Sequence, residues 1–339
     1  MIDDSSIWAH LDGLAKPRRS LGKLESLAAK LAAVQQRLDP VTRPRRLVLF
    51  AGDHGVIAQG VSAWPAAVTA SMVDTIAAGR ATSNALAAAQ NCDLRLVDVG
   101  VASPLAGNAP GWFRAARIAD GTQDLANGPA MSIADFDAAW AVGADEAKHA
   151  ADGGFAIVIA GEMGIGNTTP AACLTALLAG IPANAAIGPG AGADDATIAS
   201  KRRVVAEAVA RLGGRLDADP RAAIAAVSGF EIVAMAGFFA AAAEAKITIL
   251  LDGFVATAAA LVAERLSPGT KRAMIAAHRS AEPGHMAALN QLGLTPLLEW
   301  DMRLGEGTGA LVALPLLDSA AALLSDVISL SELGLGRAD

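Results

Sequence analysis

Glu306 is the only acid in a run of glycines, Arg303-Leu304-Gly305-Glu306-Gly307-Thr308-Gly309. Glycine costs chain entropy and is kept where a backbone needs unusual dihedrals or close approach. A carboxylate carried on such a turn can meet a ligand without steric cover. The plainer alternative is a loop glutamate that caps a helix.

A second constellation is Gly161-Glu162-Met163-Gly164-Ile165-Gly166-Asn167-Thr168-Thr169-Pro170, which follows an apolar run and opens a helical pattern. Glycines there let backbone N–H groups approach an anion, and the helix N-terminus adds a favourable dipole. Thr168 and Thr169 are placed to cap the helix, with Pro170 in its first turn. The segment matches neither the P-loop nor the GxGxxG pattern, and by itself it also reads as a tight structural turn. Glu162 has no structural purpose visible in the sequence. A third group is Gly188-Pro189-Gly190-Ala191-Gly192 followed by Lys201. Successive amides in such a loop form an anion nest, and lysine supplies a point charge for a phosphate. On spacing alone, Lys201 also reads as a solvated lysine on a helix face.

Other polar clusters are less directive. His278-Arg279-Ser280-Ala281-Glu282-Pro283-Gly284-His285 brings two histidines and a glutamate together, but Pro283-Gly284 breaks the regular spacing of metal ligands, so substrate contact or loop anchoring is expected. Asp53-His54-Gly55 reads as an acid–base pair or a turn. No GxSxG signature is present. No motif calls for a metal or a cofactor.

These residues need elements to position them. Apolar runs at Leu47–Ala51, Leu94–Val97, Phe155–Ala160, Ala223–Val227, Ile247–Leu251 and Ala273–Ala277 each end abruptly in glycine, acid, serine or histidine. Asp252-Gly253 closes one of them. Runs without alternation fit strands covered on both faces, hence a parallel sheet. In open α/β sheets the ligand lies beyond the carboxyl ends of the strands, where these polar residues gather. Residues 1–40 read as amphipathic helix, with Leu21, Leu24, Leu27, Ala28 and Leu31 at helical spacing after Pro17. The chain beyond residue 281 is helix punctuated by glycine and proline.

Composition narrows the class. Of 339 residues 53% are apolar but only 4% aromatic, with no tyrosine, so alanine must do much of the packing. The net charge of −7 argues against a nucleic-acid surface. Cys92 and Cys173 are far apart and read as small buried hydrophobes. Met163–Ala193 carries no charge, but Pro170, Pro182, Pro189 and the glycines would break a spanning helix, so no membrane span is expected. The first twelve residues are acidic and contain no secretory signal pattern, which points to the cytoplasm.

Taken in order, KPRRSLGKLE (16–25), AGDHGVIAQGVSAWPAAVT (51–69), GEMGIGNTTPAA (161–172), GAGADDATIASKR (190–202), AMAGFFAAA (234–242), LDGFVATAAALVA (251–263), HRSAEPGH (278–285) and LGEGTGALVALPLL (304–317) resemble one family across nearly the whole chain. It is the nicotinate-nucleotide–dimethylbenzimidazole phosphoribosyltransferase family of cobalamin nucleotide-loop assembly. The resemblance implies a Rossmann-like, mostly parallel sheet flanked by helices. Residues 41–280 would form this large nucleotide-binding domain, and 1–40 with 281–339 a small helical one. It also implies a homodimer. The substrates would be nicotinate mononucleotide and a benzimidazole-type base, the products α-ribazole 5'-phosphate and nicotinate.

By position, Glu306 matches the family's catalytic base, and Glu162 and Lys201 its other important polar groups. Gly164, Ile165, Gly166, Asn167, Thr168, Gly188, Gly190 and Gly192 match the nucleotide-holding loops, and Asp252 and Gly253, in a matching block, are expected to bind substrate. Trp64 and Met72 fall where the incoming base is lined, at positions that vary in the family. The chain departs from the family pattern at Arg18 and Arg19, and at Gly188-Pro189-Gly190. Two other readings use the same loops: a non-catalytic nucleotide-binding module, and a hydrolase that passes the phosphoribosyl group to water.

Overall fold

In the computed structural model, which describes residues 2–190 and 192–334, the apolar run at Leu47 lies at the middle of a sheet. Six strands form it: β1 (Arg45–Gly52), β2 (Asp93–Gly100), β3 (Phe113–Ala115), β4 (Ile157–Met163), β5 (Thr248–Leu251) and β6 (Met274–Ala276). Every neighbouring pair is parallel, in the order β3-β2-β1-β4-β5-β6. This is the doubly wound, Rossmann-like order, with its switch point between β1 and β4.

Both faces of the sheet are buried, which is why its central strands lack polar alternation. Val48, Phe50, Val158 and Ala160 point to one face, and Leu47, Leu49, Ile157 and Ile159 to the other. The first face is covered by helices Ile133–Asp152, Thr168–Ala179, Phe230–Glu244 and Phe254–Leu266. Their contact surfaces are rich in alanine, such as Ala234, Ala236, Ala258 and Ala260, all fully buried. The second face is covered by helices Asp4–Gly13, Lys23–Gln35 and Thr308–Asp326. Elements near both ends of the chain therefore share one apolar cluster. Helix Gly284–Leu292 instead places Ala288 and Leu292 in the cluster of the first face.

Three local expectations are corrected. Ala223–Val227 is not a strand. Asp219 accepts a hydrogen bond from the Ala222 N–H and Pro220 occupies the first turn, so Pro220–Ala225 becomes a helix. The remaining strand is instead the three-residue edge β3, too short to signal itself by pattern. The N-terminal segment is two helices rather than one, and Leu21 lies in the turn before the second, 44% exposed. Thr168 and Thr169 do not cap their helix. Asn167 precedes it, and Thr168 Oγ1 accepts from Lys201 Nζ instead.

The uncharged stretch Met163–Ala193 contains the end of β4, the twelve-residue helix Thr168–Ala179 and a short turn of helix at Ala183–Ala186. Helix Thr308–Asp326 has the length and apolar content of a membrane span, but Leu311, Leu314, Leu317 and Ala320 are buried against the sheet. Both cysteines are free and buried, and burial pushes each thiol up to about 12.

Candidate active site

The switch point makes the crevice. After β1 the chain passes to helix Ala67–Ala77, whose Val73 and Ile76 join the second face. After β4 it passes to helix Thr168–Ala179, whose Ala171 and Leu174 join the first. The two connections diverge, and a cleft opens beyond the strand ends. Its wall is formed by Glu162, Gly164–Thr168, Gly190, Lys201, Asp252-Gly253 and the Gly305 end of the Glu306 turn.

The loop after β4 is pinned from two directions. The Ile165 N–H donates to Thr69 Oγ1 at 3.1 Å, and Asn167 Nδ2 donates to Glu162 Oε2. Glu162 sits near the end of the strand and is 9% exposed. Burial holds its pKa well above the ordinary carboxylate value. The charges of Asp252, Glu231 and Glu306 push the same way, against the Asn167 amide. These surroundings favour neutral Glu162. A cation bound beside it would favour the carboxylate.

Lys201 is buried, not solvated, at 1% exposure. Its Nζ donates to Thr168 Oγ1 at 2.7 Å and to the Gly188 carbonyl at 3.2 Å. An ammonium has three donors, so one remains for a ligand. Burial lowers its pKa, and Glu282 partly opposes the effect. The glycine loop is fixed at Gly190, whose N–H donates to Glu282 Oε1 at 2.8 Å and whose carbonyl accepts from Arg303 Nη1 at 2.7 Å. Gly188 lies behind the crevice wall, and a side chain there would overlap Glu282. Gly192 also lies off the wall, in a left-handed conformation. Ala191 lies outside the described residues.

Glu306 lies one layer behind the wall, between Gly305 and Thr308, which both reach it. Three successive residues are left-handed: Gly305 (φ 92°), Glu306 (φ 57°) and Gly307 (φ 76°). A side-chain-bearing residue rarely adopts that conformation, and it persists where its surroundings hold it. Three contacts do so. Asp252 accepts from the N–H groups of Gly307, Gly309 and Ala310 at 3.2, 2.8 and 3.1 Å. Gly161 of β4 lets the turn lie against the strand, since a Cβ there would come within 2.6 Å of the Glu306 backbone. Ser83 Oγ, on helix Thr82–Ala89, donates to Glu306 Oε2 at 2.9 Å. Burial raises the Glu306 pKa, while the Ser83 hydrogen bonds pull it down.

Asp252 therefore acts on the site through the backbone of the Glu306 turn. Burial works against its charge, but the His278 side chain and backbone N–H groups outweigh it, and its pKa lies below the ordinary value. His278 Nε2 is 3.6 Å from Asp252 Oδ1. His285 accepts from the Ser280 N–H at Nδ1, so Nε2 carries its proton and donates to Thr257 Oγ1. It is a neutral loop anchor, with burial lowering its pKa to about 3. Among the described residues no group of His, Cys, Asp and Glu is arranged to hold a metal ion.

Trp64 and Met72 are not on the crevice wall. Trp64 is 51% exposed and follows Ser62 and Ala63, which are on it; Met72 is half-buried on helix Ala67–Ala77. Sequence reasoning missed Ser83, and also the buried pair His54–Glu231, joined at 2.9 Å. Ser83 reads only as part of a helix start. Glu231 did leave a signal, as the single acid in the apolar run Phe230–Phe239. His54 and Glu231 lie under the loop after β4, because a Cβ on Gly164 would come within 3.0 Å of His54 Nε2.

A doubly wound parallel sheet with glycine loops, a buried cation and buried carboxylates at its switch point fits an enzyme of nucleotide chemistry. A family profile described as Phosphoribosyltransferase matches residues 4–335. A relative from Cupriavidus taiwanensis named nicotinate-nucleotide–dimethylbenzimidazole phosphoribosyltransferase is 46% identical over 333 residues, covering 98% of this chain and 95% of its own. One of the same name from Thermus thermophilus is 43% identical and covers 96% of each. The crystal structure of CobT from Thermus thermophilus has a TM-score of 0.94 at 42% identity over 99% of both chains. The chain belongs to the nicotinate-nucleotide–dimethylbenzimidazole phosphoribosyltransferase family.

Proposed function

We propose that the protein transfers the 5-phosphoribosyl group of nicotinate mononucleotide to 5,6-dimethylbenzimidazole or a related base, giving α-ribazole 5'-phosphate and nicotinate, with Glu306 as general base. The single observation that carries this reading is the Glu306 carboxylate, buried and locked in a left-handed turn at the switch-point crevice. Full-length kinship to proteins named for this activity supports it.

One imidazole-type nitrogen of the acceptor attacks the anomeric carbon. The bond from that carbon to the pyridinium nitrogen breaks, and its electron pair neutralises the departing nicotinate ring. No general acid is needed. The acceptor's other nitrogen gains acidity as the new bond forms, and Glu306 takes its proton, a contribution of about 10²–10⁴-fold. Attack opposite the leaving ring converts the β-bond to α. A pKa raised by burial makes Glu306 a stronger base than an exposed glutamate.

Glu162, ionised by the cationic donor, steadies positive charge on the pyridinium and on the oxocarbenium-like ribosyl carbon. The remaining Lys201 donor and the amides of Gly164–Thr168 hold the anionic portion, so positioning supplies much of the acceleration. Glu306 is 1% exposed. Entry of the base therefore requires the Gly305–Gly307 turn or the start of helix Thr82–Ala89 to yield.

The same reading includes a cytoplasmic homodimer and no membrane span. It also divides the chain into a large domain at 41–280 and a small one from both ends. Leu304, 57% exposed at the crevice wall, and Trp64, 51% exposed, suit cover by a second copy. Incubation with nicotinate mononucleotide, with and without dimethylbenzimidazole, followed by chromatography, tests the function. Base-dependent release of nicotinate with formation of the α-ribotide is expected. Release without base would indicate a hydrolase, and binding without turnover a non-catalytic module.

A further inference from the structure

We infer that Ser83 is a positioning residue for the phosphoribosyl transfer. Its hydroxyl fixes Oε2 of Glu306 and leaves Oε1 to accept the acceptor's proton. This inference rests on the reading of Glu306 as the base.

Ser83 is fully buried, and its Oγ donates to Glu306 Oε2 at 2.9 Å across 223 residues of sequence. The Ser83 backbone N–H adds a second interaction with the same carboxylate, so one residue holds it through both its hydroxyl and its main chain. A carboxylate with both oxygens free would rotate about its terminal torsion, whose energy wells are broad. One donor on Oε2 removes that freedom and decides which oxygen faces the ligand. The hydroxyl belongs to the second residue of helix Thr82–Ala89, so the regular helix backbone sets its place.

The same hydrogen bond controls charge. The groups facing Glu306 from the other elements are acids: Glu162 on β4 and Asp252 at the end of β5, the latter shared with His278 after β6. Burial and the Asp252 charge push the Glu306 proton on, and Ser83 works against them. Without the hydroxyl, Glu306 would hold its proton to higher pH and be idle as a base there.

The test is the pH dependence of kcat/KM, with nicotinate mononucleotide and dimethylbenzimidazole, for the parent, Ser83→Ala, Ser83→Thr and Glu306→Gln. The acidic limb should move up by about one pH unit in Ser83→Ala. Below the limb that means about a tenfold loss of kcat/KM. The dissociation constant for nicotinate mononucleotide should stay within about threefold, since Ser83 is not among the residues of the crevice wall. Ser83→Thr keeps the hydroxyl and should keep the parental limb. An unmoved limb in Ser83→Ala, or equal movement in both variants, overturns the inference. Glu306→Gln separates the two claims. If it is impaired while the Ser83→Ala limb stays put, only the role of Ser83 fails. If it turns over like the parent, the base assignment fails and this inference with it.

Discussion

Gly305 sits so close to Glu162 that a Cβ on the glycine would overlap Oε1 of the glutamate. The turn that carries Glu306 is thus packed directly on the second carboxylate of the site. Gly305→Ala must displace Glu162 and also place a side chain at φ 92°. We expect a stability loss of about 1–3 kcal/mol by thermal or denaturant unfolding, and at least about a tenfold loss of kcat. Parental activity would show that the two groups tolerate separation.

Asp252 ties the start of helix Thr308–Asp326 to β5 by accepting three backbone N–H groups. Asp252→Asn keeps the shape but turns an amide toward those donors. It should cost about 2–3 kcal/mol at neutral pH. The sign of the pH effect follows from the depressed folded-state pKa. The stability contributed by the carboxylate is present above its unfolded value and is lost as pH falls through the folded one. Denaturant titrations of parent and variant should therefore converge under strongly acidic conditions and differ most near neutrality.

Lys201 has one N–H donor left after Thr168 and Gly188. Lys201→Met should weaken nicotinate mononucleotide binding by about 10–100-fold, the range for losing a charged hydrogen bond. The fold should persist, because methionine keeps the length and the buried apolar stem of the lysine. Unchanged affinity in calorimetry would mean that this lysine only braces the two loops it bridges.

Trp64 lies off the crevice wall but directly follows the crevice-lining Ser62 and Ala63, and under the proposed function its flat apolar face would meet a bicyclic base that extends past them. Trp64→Ser should change the relative rates with dimethylbenzimidazole, benzimidazole and adenine by at least a few-fold, as expected for an aromatic contact. A uniform effect on all three would take Trp64 out of acceptor selection.

Much of this was legible in the sequence because strands buried on both faces cannot alternate. Leu47–Ala51, Leu94–Val97, Phe155–Ala160, Ile247–Leu251 and Ala273–Ala277 all mark strands, and the polar residues that follow most of them mark the crevice. Ala223–Val227 misled for the opposite reason. Its apolar character serves a helix, and the start signal lies upstream at Asp219-Pro220. The burial of Lys201 was not legible, since its neighbours Arg202 and Arg203 are the charges of an ordinary exposed helix face. Ser83 was invisible because its partner is 223 residues away and its own segment reads as a helix start. Asp252 was read as a substrate contact, and no local pattern could reveal that it caps the helix after Glu306.

The proposed transfer requires Glu306 to remove a proton from the acceptor base. Single-turnover chemistry on Glu306→Gln, with nicotinate mononucleotide affinity measured in parallel, tests it most directly. We predict a fall in the chemical rate of about 10²–10⁴-fold with donor affinity within about threefold of the parent. A chemical rate equal to the parent's, with donor still bound, would contradict the account.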